Sequence, residues 1–279
     1  MAEGCTHDCS TCSANCPSKN GGGIPKDAAN KYSNVKHIIA VMSGKGGVGK
    51  SLVTSMLAVN LSRKGYSVGI LDADITGPSI PKAFGMYDDV EGDGEGNMLP
   101  PETATGIKIM SVNLMLEDES APVVWRGSVI SGTVRQFWTD CAWGNLDYLL
   151  IDCPPGTGDV PLTVFQSIPI DGCVIVSGPQ DLVAMIVKKA ANMADMMKIP
   201  VLGLVENMSY IKCPDCGKEL KVFGESHIEE IANEFGYDLL AKVPIDPDVA
   251  SYVDKGWIES ANVSYLEGAA DALVEKCNK

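Results

Sequence analysis

Short apolar runs alternate with longer stretches in which apolar residues recur at helical spacing, and this alternation sets the rhythm of the chain. Residues 37–42, 67–71, 107–112, 148–152, 173–176, 201–205 and 240–243 read as strands, several of them apolar at nearly every position. Runs of that kind suit strands buried on both faces, as in a parallel sheet. Between them, Leu52, Met56 and Val59 are spaced like the buried stripe of a helix. Residues 126–138 repeat the pattern with Ile130, Val134, Phe137 and Trp138, and residues 182–197 read as another helix. The first strand, first helix and second strand form a βαβ unit over residues 37–71, and the whole series predicts a three-layer α/β fold with a mostly parallel sheet. Residues 1–34 are poor in apolar positions and contain Gly21-Gly22-Gly23, which predicts a mobile arm on a flexible linker ahead of a folded domain over 35–279. The acidic, Gly-rich stretch 88–97 lacks the ligand spacing of an EF-hand and reads as a solvated loop.

Composition narrows the function. Hydrophobic residues make up 45% of the 279-residue chain, enough for a substantial core, and the net charge is −14. That balance argues against a nucleic-acid partner, which calls for a basic stripe. No apolar run reaches the ~18 residues of a membrane helix, and the N-terminus lacks a signal-peptide core, so no membrane partner is expected and a cytoplasmic location is. In that compartment ten cysteines point to metal rather than to disulfides.

The chemistry centres on Ser43–Ser51, SGKGGVGKS, which fits the phosphate-loop pattern G-x-x-x-x-G-K-S/T between a strand and a helix. Gly44, Gly46, Gly47 and Gly49 would let backbone N–H groups around Val48 wrap a phosphate without Cβ clashes, and the helix N-terminus adds partial positive charge. Lys50 would sit on the β and γ phosphates, and Ser51 would ligate Mg²⁺. Asp152 ends a strand in the Walker B position, as a further magnesium-site carboxylate, and Pro154, Pro155, Gly156 and Asp159 form a loop suited to switch with the γ-phosphate. Asp72 and Asp74 end another strand. Strand carboxyl ends are where an open α/β sheet binds ligands. Asp74 is therefore the candidate to orient the attacking water and Asp72 to support the magnesium shell; a plain helix N-cap is the alternative for Asp74.

Lys45 is not needed to hold the β-phosphate. It resembles the extra lysine of the deviant Walker A (SIMIBI-type) loop in nucleotide-dependent dimers such as nitrogenase iron protein and the Min and Par ATPases. There it reaches the partner subunit's nucleotide, and the resemblance gives Lys45, with Lys50 and Asp74, a catalytic role. A solvated surface lysine is the plain alternative.

Cys213-Pro214-Asp215-Cys216-Gly217 places two thiols where both can hold one metal, but two thiolates do not complete a tetrahedral shell. Another cysteine of this chain or a second subunit must supply the rest. A 4Fe–4S cluster, zinc and a redox dithiol are the candidate chemistries. Cys5, Cys9, Cys12 and Cys16 follow C-x₃-C-x₂-C-x₃-C-P, part of which occurs in bacterial ferredoxin runs; they could hold iron–sulfur, zinc or no metal. Cys141, Cys153, Cys173 and Cys277 read as buried small hydrophobes.

Together GKGGVGKS at 44–51, LDADITGPSIP at 71–81, WRG at 125–127, IDCPPGTGD at 151–159 and ENMSYIKCPDCGK at 206–218 resemble the Mrp/Nbp35 (ApbC-type) P-loop ATPases, iron–sulfur cluster carriers or scaffolds. The match runs from about residue 36 to the C-terminus and is closest to a short prokaryotic form. WRG is followed here by Ser128 where several relatives have proline, and the N-terminal cysteine spacing is shorter than in eukaryotic members. The resemblance implies ATP and Mg²⁺ as cofactors, a 4Fe–4S cluster bridged between two subunits by Cys213 and Cys216, and homodimerisation. It also implies delivery to apo iron–sulfur proteins alongside cluster-assembly factors, and adenine contacts at Asn207, Pro244 and Asp246. A spatial organiser of Min or Par type, with zinc on its cysteines, is the alternative function; a reductase resembling nitrogenase iron protein is a third.

Overall fold

The computed structural model describes residues 26–75, 77, 79–116, 127–179 and 183–278. The cysteines at 5, 9, 12 and 16, and Trp125 and Arg126 of the WRG motif, lie outside the described residues.

Strand β1 (Ser33–Met42) is the centre of the molecule. Its last five residues, Ile38–Met42, are almost fully buried. Alternate side chains point to opposite faces of a strand. Thus Ile38, Ala40 and Met42 enter one core, and Ile39 and Val41 enter another. The remaining sheet strands are β2 (Val68–Asp72), β3 (Lys108–Met110), β4 (Gly144–Asp152), β5 (Gly172–Ser177), β6 (Val201–Glu206) and β7 (Leu239–Lys242). They lie in the order β7-β6-β5-β1-β4-β2-β3, and every adjacent pair is parallel.

Helices cover both faces. Helix α1 (Lys50–Arg63) fills one side with Val53, Leu57 and Leu61. It is joined there by α2 (Ile80–Phe84), α7 (Pro247–Asp254) and α8 (Glu267–Cys277) through Phe84, Val249 and Leu273. The opposite face is covered by α3 (Gly127–Thr139), α4 (Asp159–Ser167), α5 (Val183–Met196) and α6 (Ile228–Phe235). Their Val134, Phe137, Phe165, Val187 and Ile231 pack there. This is the expected three-layer architecture, with every pairing within the seven-stranded sheet parallel.

The domain start needs correction. Strand β1 begins at Ser33, so the expected boundary after residue 34 falls inside it. Residues ahead of the strand are also tied to the core. Asp27 accepts both Arg135 Nε and Nη2, at 2.7 and 2.8 Å, its carbonyl accepts Trp138 Nε1, and its N–H donates to the Ser167 carbonyl. The acidic stretch at 88–97 is exposed, as expected of a solvated loop, but it is a small hairpin pairing Glu91–Gly92 with Met98–Leu99. The Asp93 carboxylate accepts the N–H groups of Glu95 and Asn97 and so holds its turn.

The seven strands of the main sheet run the same way, so their carboxyl ends collect the loops after β1, β2, β4 and β6 on one edge. The candidate site lies there, where open α/β sheets bind ligands.

Candidate functional site

The loop between β1 and α1 is held open by its glycines. Gly49 lies just ahead of α1 with φ 72°, a left-handed conformation that favours glycine, and a Cβ there would meet Asn207 Nδ2 at 2.2 Å. A Cβ on Gly44 would meet Ile186 Cγ2 at 2.4 Å and its carbonyl oxygen at 2.5 Å. Among the described residues no side chain caps α1, and its first turn has no acidic residue. Its N–H groups therefore remain for an anion, helped by the helix dipole. Above them opens a cavity of about 290 Å³ lined by Gly46–Ser51, Asp74, Pro155 and Val253, among others.

Lys50 is 5% exposed and lies 2.7 Å from Asp152 Oδ2 and 3.9 Å from Asp74 Oδ2. The Ser51 hydroxyl donates to Asp152 Oδ2 at 2.6 Å, and Thr54 Oγ1 donates to Asp152 Oδ1 at 2.7 Å. Asp152 is fully buried, so these partners offset the cost of keeping its charge from water. The structure thus brings Lys50, Ser51, Asp74 and Asp152 into one cluster. All but the lysine offer oxygen, the donor a hard Mg²⁺ ion prefers, so the residues fit that ion.

Asp72 sits one layer further back. It is the register neighbour of Asp152 across β2 and β4, and only 1% exposed. It accepts from Ser111 Oγ at 3.0 Å and from the Asp74 N–H at 3.1 Å. Burial first, and then the Asp152 charge, push its carboxyl up to about 8, against the pull of Lys50. Asp74, by contrast, lines the cavity with its side chain 15% exposed. It is not a helix N-cap, because α2 begins only at Ile80, after Ser79.

The loop after β4 is fastened to the phosphate loop: the Gly156 N–H donates to the Ser43 carbonyl at 2.8 Å. Pro155 forms part of the cavity wall, Pro154 precedes it in the same loop, and Asp159 opens α4. Lys45 is partly exposed, and its carbonyl accepts from Ser43 Oγ.

A second, apolar cavity of about 210 Å³ shares Gly49 and Leu52 with the first; its lining includes Met56, Met208, Pro244, Ile245 and Tyr265. A polar cradle joined to an apolar slot matches the shape and chemistry of a nucleotide. Asn207, Pro244 and Asp246 all line this slot. Two of them have further duties. Asn207 Nδ2 donates to the Val48 carbonyl at 2.9 Å, pinning the phosphate loop to the end of β6. Asp246 caps α7, accepting the N–H groups of Asp248 and Val249, and accepts the Tyr265 hydroxyl at 2.8 Å.

The chain leaves the sheet after β6 and turns through a small hairpin, Ile211–Lys212 paired with Glu219–Leu220, that carries the paired cysteines. The Cys213 N–H donates to the Lys218 carbonyl, and the Gly217 N–H to the Cys213 carbonyl, both at 2.9 Å. Cys216 is exposed and Cys213 partly so. The backbone N–H groups of Cys216 and then Asp215, together with the Cys216 thiol, hold Cys213 below the usual thiol range. Such a thiol favours the thiolate that binds metal. Among the described residues no group of three or more candidate metal ligands occurs, and the hairpin itself offers two sulfurs. Cys141, Cys153 and Cys173 are buried, and burial pushes all three thiols up, Cys173 to about 12. Cys277 is partly buried and also pushed up.

Sequence reasoning missed Thr54, Ser111 and Tyr265. Thr54 was within reach, since it lies one turn from Lys50 on the same helix and donates to the Lys50 carbonyl as well as to Asp152. Ser111 and Tyr265 meet their carboxylates only through tertiary packing, which no local spacing signals.

The family model of the NUBPL iron-transfer P-loop NTPases, in the ParA group, matches residues 34–277. An iron–sulfur cluster carrier protein of Clostridium perfringens is 49% identical over 252 residues, 87% of this chain and 88% of that protein. One of Methanocaldococcus jannaschii is 46% identical over 261 residues, 92% of this chain and 90% of that protein. A solved nucleotide-binding protein of Archaeoglobus fulgidus, in complex with ADP, superposes with a TM-score of 0.73 at 46% identity, covering 81% of this chain and 88% of that one.

Proposed function

The chain belongs to the NUBPL iron-transfer P-loop NTPase family, and on that premise we propose that it binds and hydrolyses ATP to carry a 4Fe–4S cluster. Two copies would hold that cargo between their Cys213–Cys216 pairs and release it to apo-proteins. One observation carries the reading. The segment that lines the nucleotide slot, Asn207–Met208, runs on directly into the hairpin bearing the thiols, one of which is biased toward thiolate. A nucleotide-sensing wall and a metal-binding turn are thus one piece of chain.

ATP would lie with its base in the apolar slot and its phosphates on the loop N–H groups. Lys50, paired with Asp152, would turn to the β and γ phosphates. Ser51 and Asp152, with Asp74 nearby, would hold Mg²⁺, which supplies charge neutralisation at the phosphates. Asp74 is the one carboxylate of this group on the cavity wall, which suits it to align the attacking water. The extra cation needed as charge develops would be the partner's Lys45. Hydrolysis would then depend on two subunits closing, so chemistry and cargo would share one interface. Asp72, behind the wall, would support the site from the second row.

The test is anaerobic reconstitution of wild type and of Cys213→Ala/Cys216→Ala, with iron, sulfide and zinc measured alongside transfer to an apo-protein. Wild type is expected to be brown, absorbing near ~400 nm. The variant is expected to lose that bridging cluster and its transfer while still binding ATP. Unchanged iron and transfer in the variant would remove the assignment. A colourless wild type holding zinc would favour the organiser reading.

A further inference from the structure

Glu206 is a fully buried carboxylate at the end of β6, following the apolar residues Leu202, Leu204 and Val205. Packing alone would place another apolar residue there, because a buried acid is costly unless donors meet it. Two do. Ser209 Oγ donates to Oε2, and Ser226 Oγ donates to Oε1 at 2.6 Å. These serines are the two feet of the excursion that carries Cys213 and Cys216. Ser209 leads out of the sheet, and Ser226 leads into α6, where its hydroxyl accepts the Ile228 N–H at 3.3 Å.

The next residues face the nucleotide site. The Asn207 side chain holds the Val48 carbonyl of the phosphate loop, and its N–H donates to the Ser177 carbonyl at 2.8 Å. Met208 lines the base slot with φ 58°, a left-handed backbone rarely adopted by a side chain of its size. The Ser209 N–H, donating to the Val243 carbonyl at 2.9 Å, holds it there. Strained segments fixed at both ends are common at switches. Within the run Glu206–Ser209, Asn207 therefore grips the phosphate loop while the adjacent Glu206 grips both feet of the cysteine excursion.

We propose that Glu206, Ser209 and Ser226 form a clasp that positions the cysteine excursion and passes changes at the phosphate loop to Cys213 and Cys216. Nucleotide binding reorders the Val48–Gly49 segment, Asn207 follows, and the clasp moves both feet together, so the thiols shift as a unit. These three are positioning residues. The inference rests on the reading of Cys213 and Cys216 as the cargo site, but not on which cargo they hold.

The test uses the full-length, cluster-free chain. Alkylation rates of Cys213 and Cys216 are followed by peptide mass spectrometry without nucleotide, with ADP, and with Mg²⁺ and a non-hydrolysable ATP analogue. Nucleotide affinity is measured separately. In wild type the analogue is expected to change the rate by about fivefold or more, the lower end of ordinary coupling between sites. Ser226→Ala, at a partly buried position, is expected to cut that response below about twofold with nucleotide affinity unchanged. Ser209→Ala is expected to do the same. Glu206→Gln, whose amide still meets both hydroxyls, is expected to keep the response. A full response in both serine variants, loss of nucleotide affinity in them, or a saturated wild type without any response would overturn the clasp. The carrier reading fails on a different result, namely unchanged iron in Cys213→Ala/Cys216→Ala.

Discussion

Asp72 and Cys213 show how surroundings give ordinary side chains their chemistry. The carboxyl of Asp72 is raised from its usual 3.8 to about 8, chiefly by burial and then by the Asp152 charge. The folded state therefore holds this proton more tightly than the unfolded chain does. The associated stability is fully present below the ordinary carboxylate range and is lost as pH rises through about 8. Nucleotide-free wild type is expected to lose thermal stability over that window, and Asp72→Asn to flatten the loss; a variant with the wild-type slope would exclude Asp72 as its source. Cys213 moves the other way, because backbone N–H groups favour its thiolate. Brief alkylation at neutral pH is expected to label Cys213 and to spare Cys141, Cys153 and Cys173 until the protein unfolds. Equal labelling of all four would contradict the geometry. These shifts were not legible in the residues alone: the sequence suggested different roles for Asp72 and Asp74, but only packing puts one behind the cavity wall and the other on it.

Among the elements, the buried strands and the longer helices were readable because their periodicity is strong. The predicted 173–176, 201–205 and 240–243 sit within or across β5, β6 and β7. Residues 107–112 were overextended. Strand β3 stops at Met110, and the chain then turns into a short 3-10 helix at Val112–Met115. Helices α2, α4, α6, α7 and α8 escaped notice. α7 buries only Val249 and begins with proline, so it carries little pattern to read. Yet α7 matters to the site, because its cap, Asp246, fixes the turn that walls the base slot. Asp246→Ala is expected to cost about 1 kcal/mol of stability, as lost N-caps do, and to weaken nucleotide binding. Asp246→Asn keeps a capping oxygen and is expected to retain most of both. Equal nucleotide affinity in the alanine variant would show that the turn holds without its cap.

For the whole molecule, parallel strands bring the phosphate loop, two carboxylate-bearing strand ends and the cysteine hairpin to one edge of one sheet. The phosphate site could be read in advance because loop, lysine and acid follow fixed spacings. The tie from Asn207 to Val48, and the hold of Glu206 on Ser226, could not, since no local spacing signals them. The cysteine hairpin offers two sulfurs, and no cluster of three or more ligands occurs among the described residues, so the proposed cage is completed by a second chain. Native mass spectrometry of the anaerobically reconstituted protein, beside Cys213→Ala/Cys216→Ala, tests this most directly. The account predicts a wild-type dimer carrying one 4Fe–4S cluster more than the variant dimer, about two iron atoms per chain. A wild-type monomer that carries that same cluster on Cys213 and Cys216 by itself would contradict it.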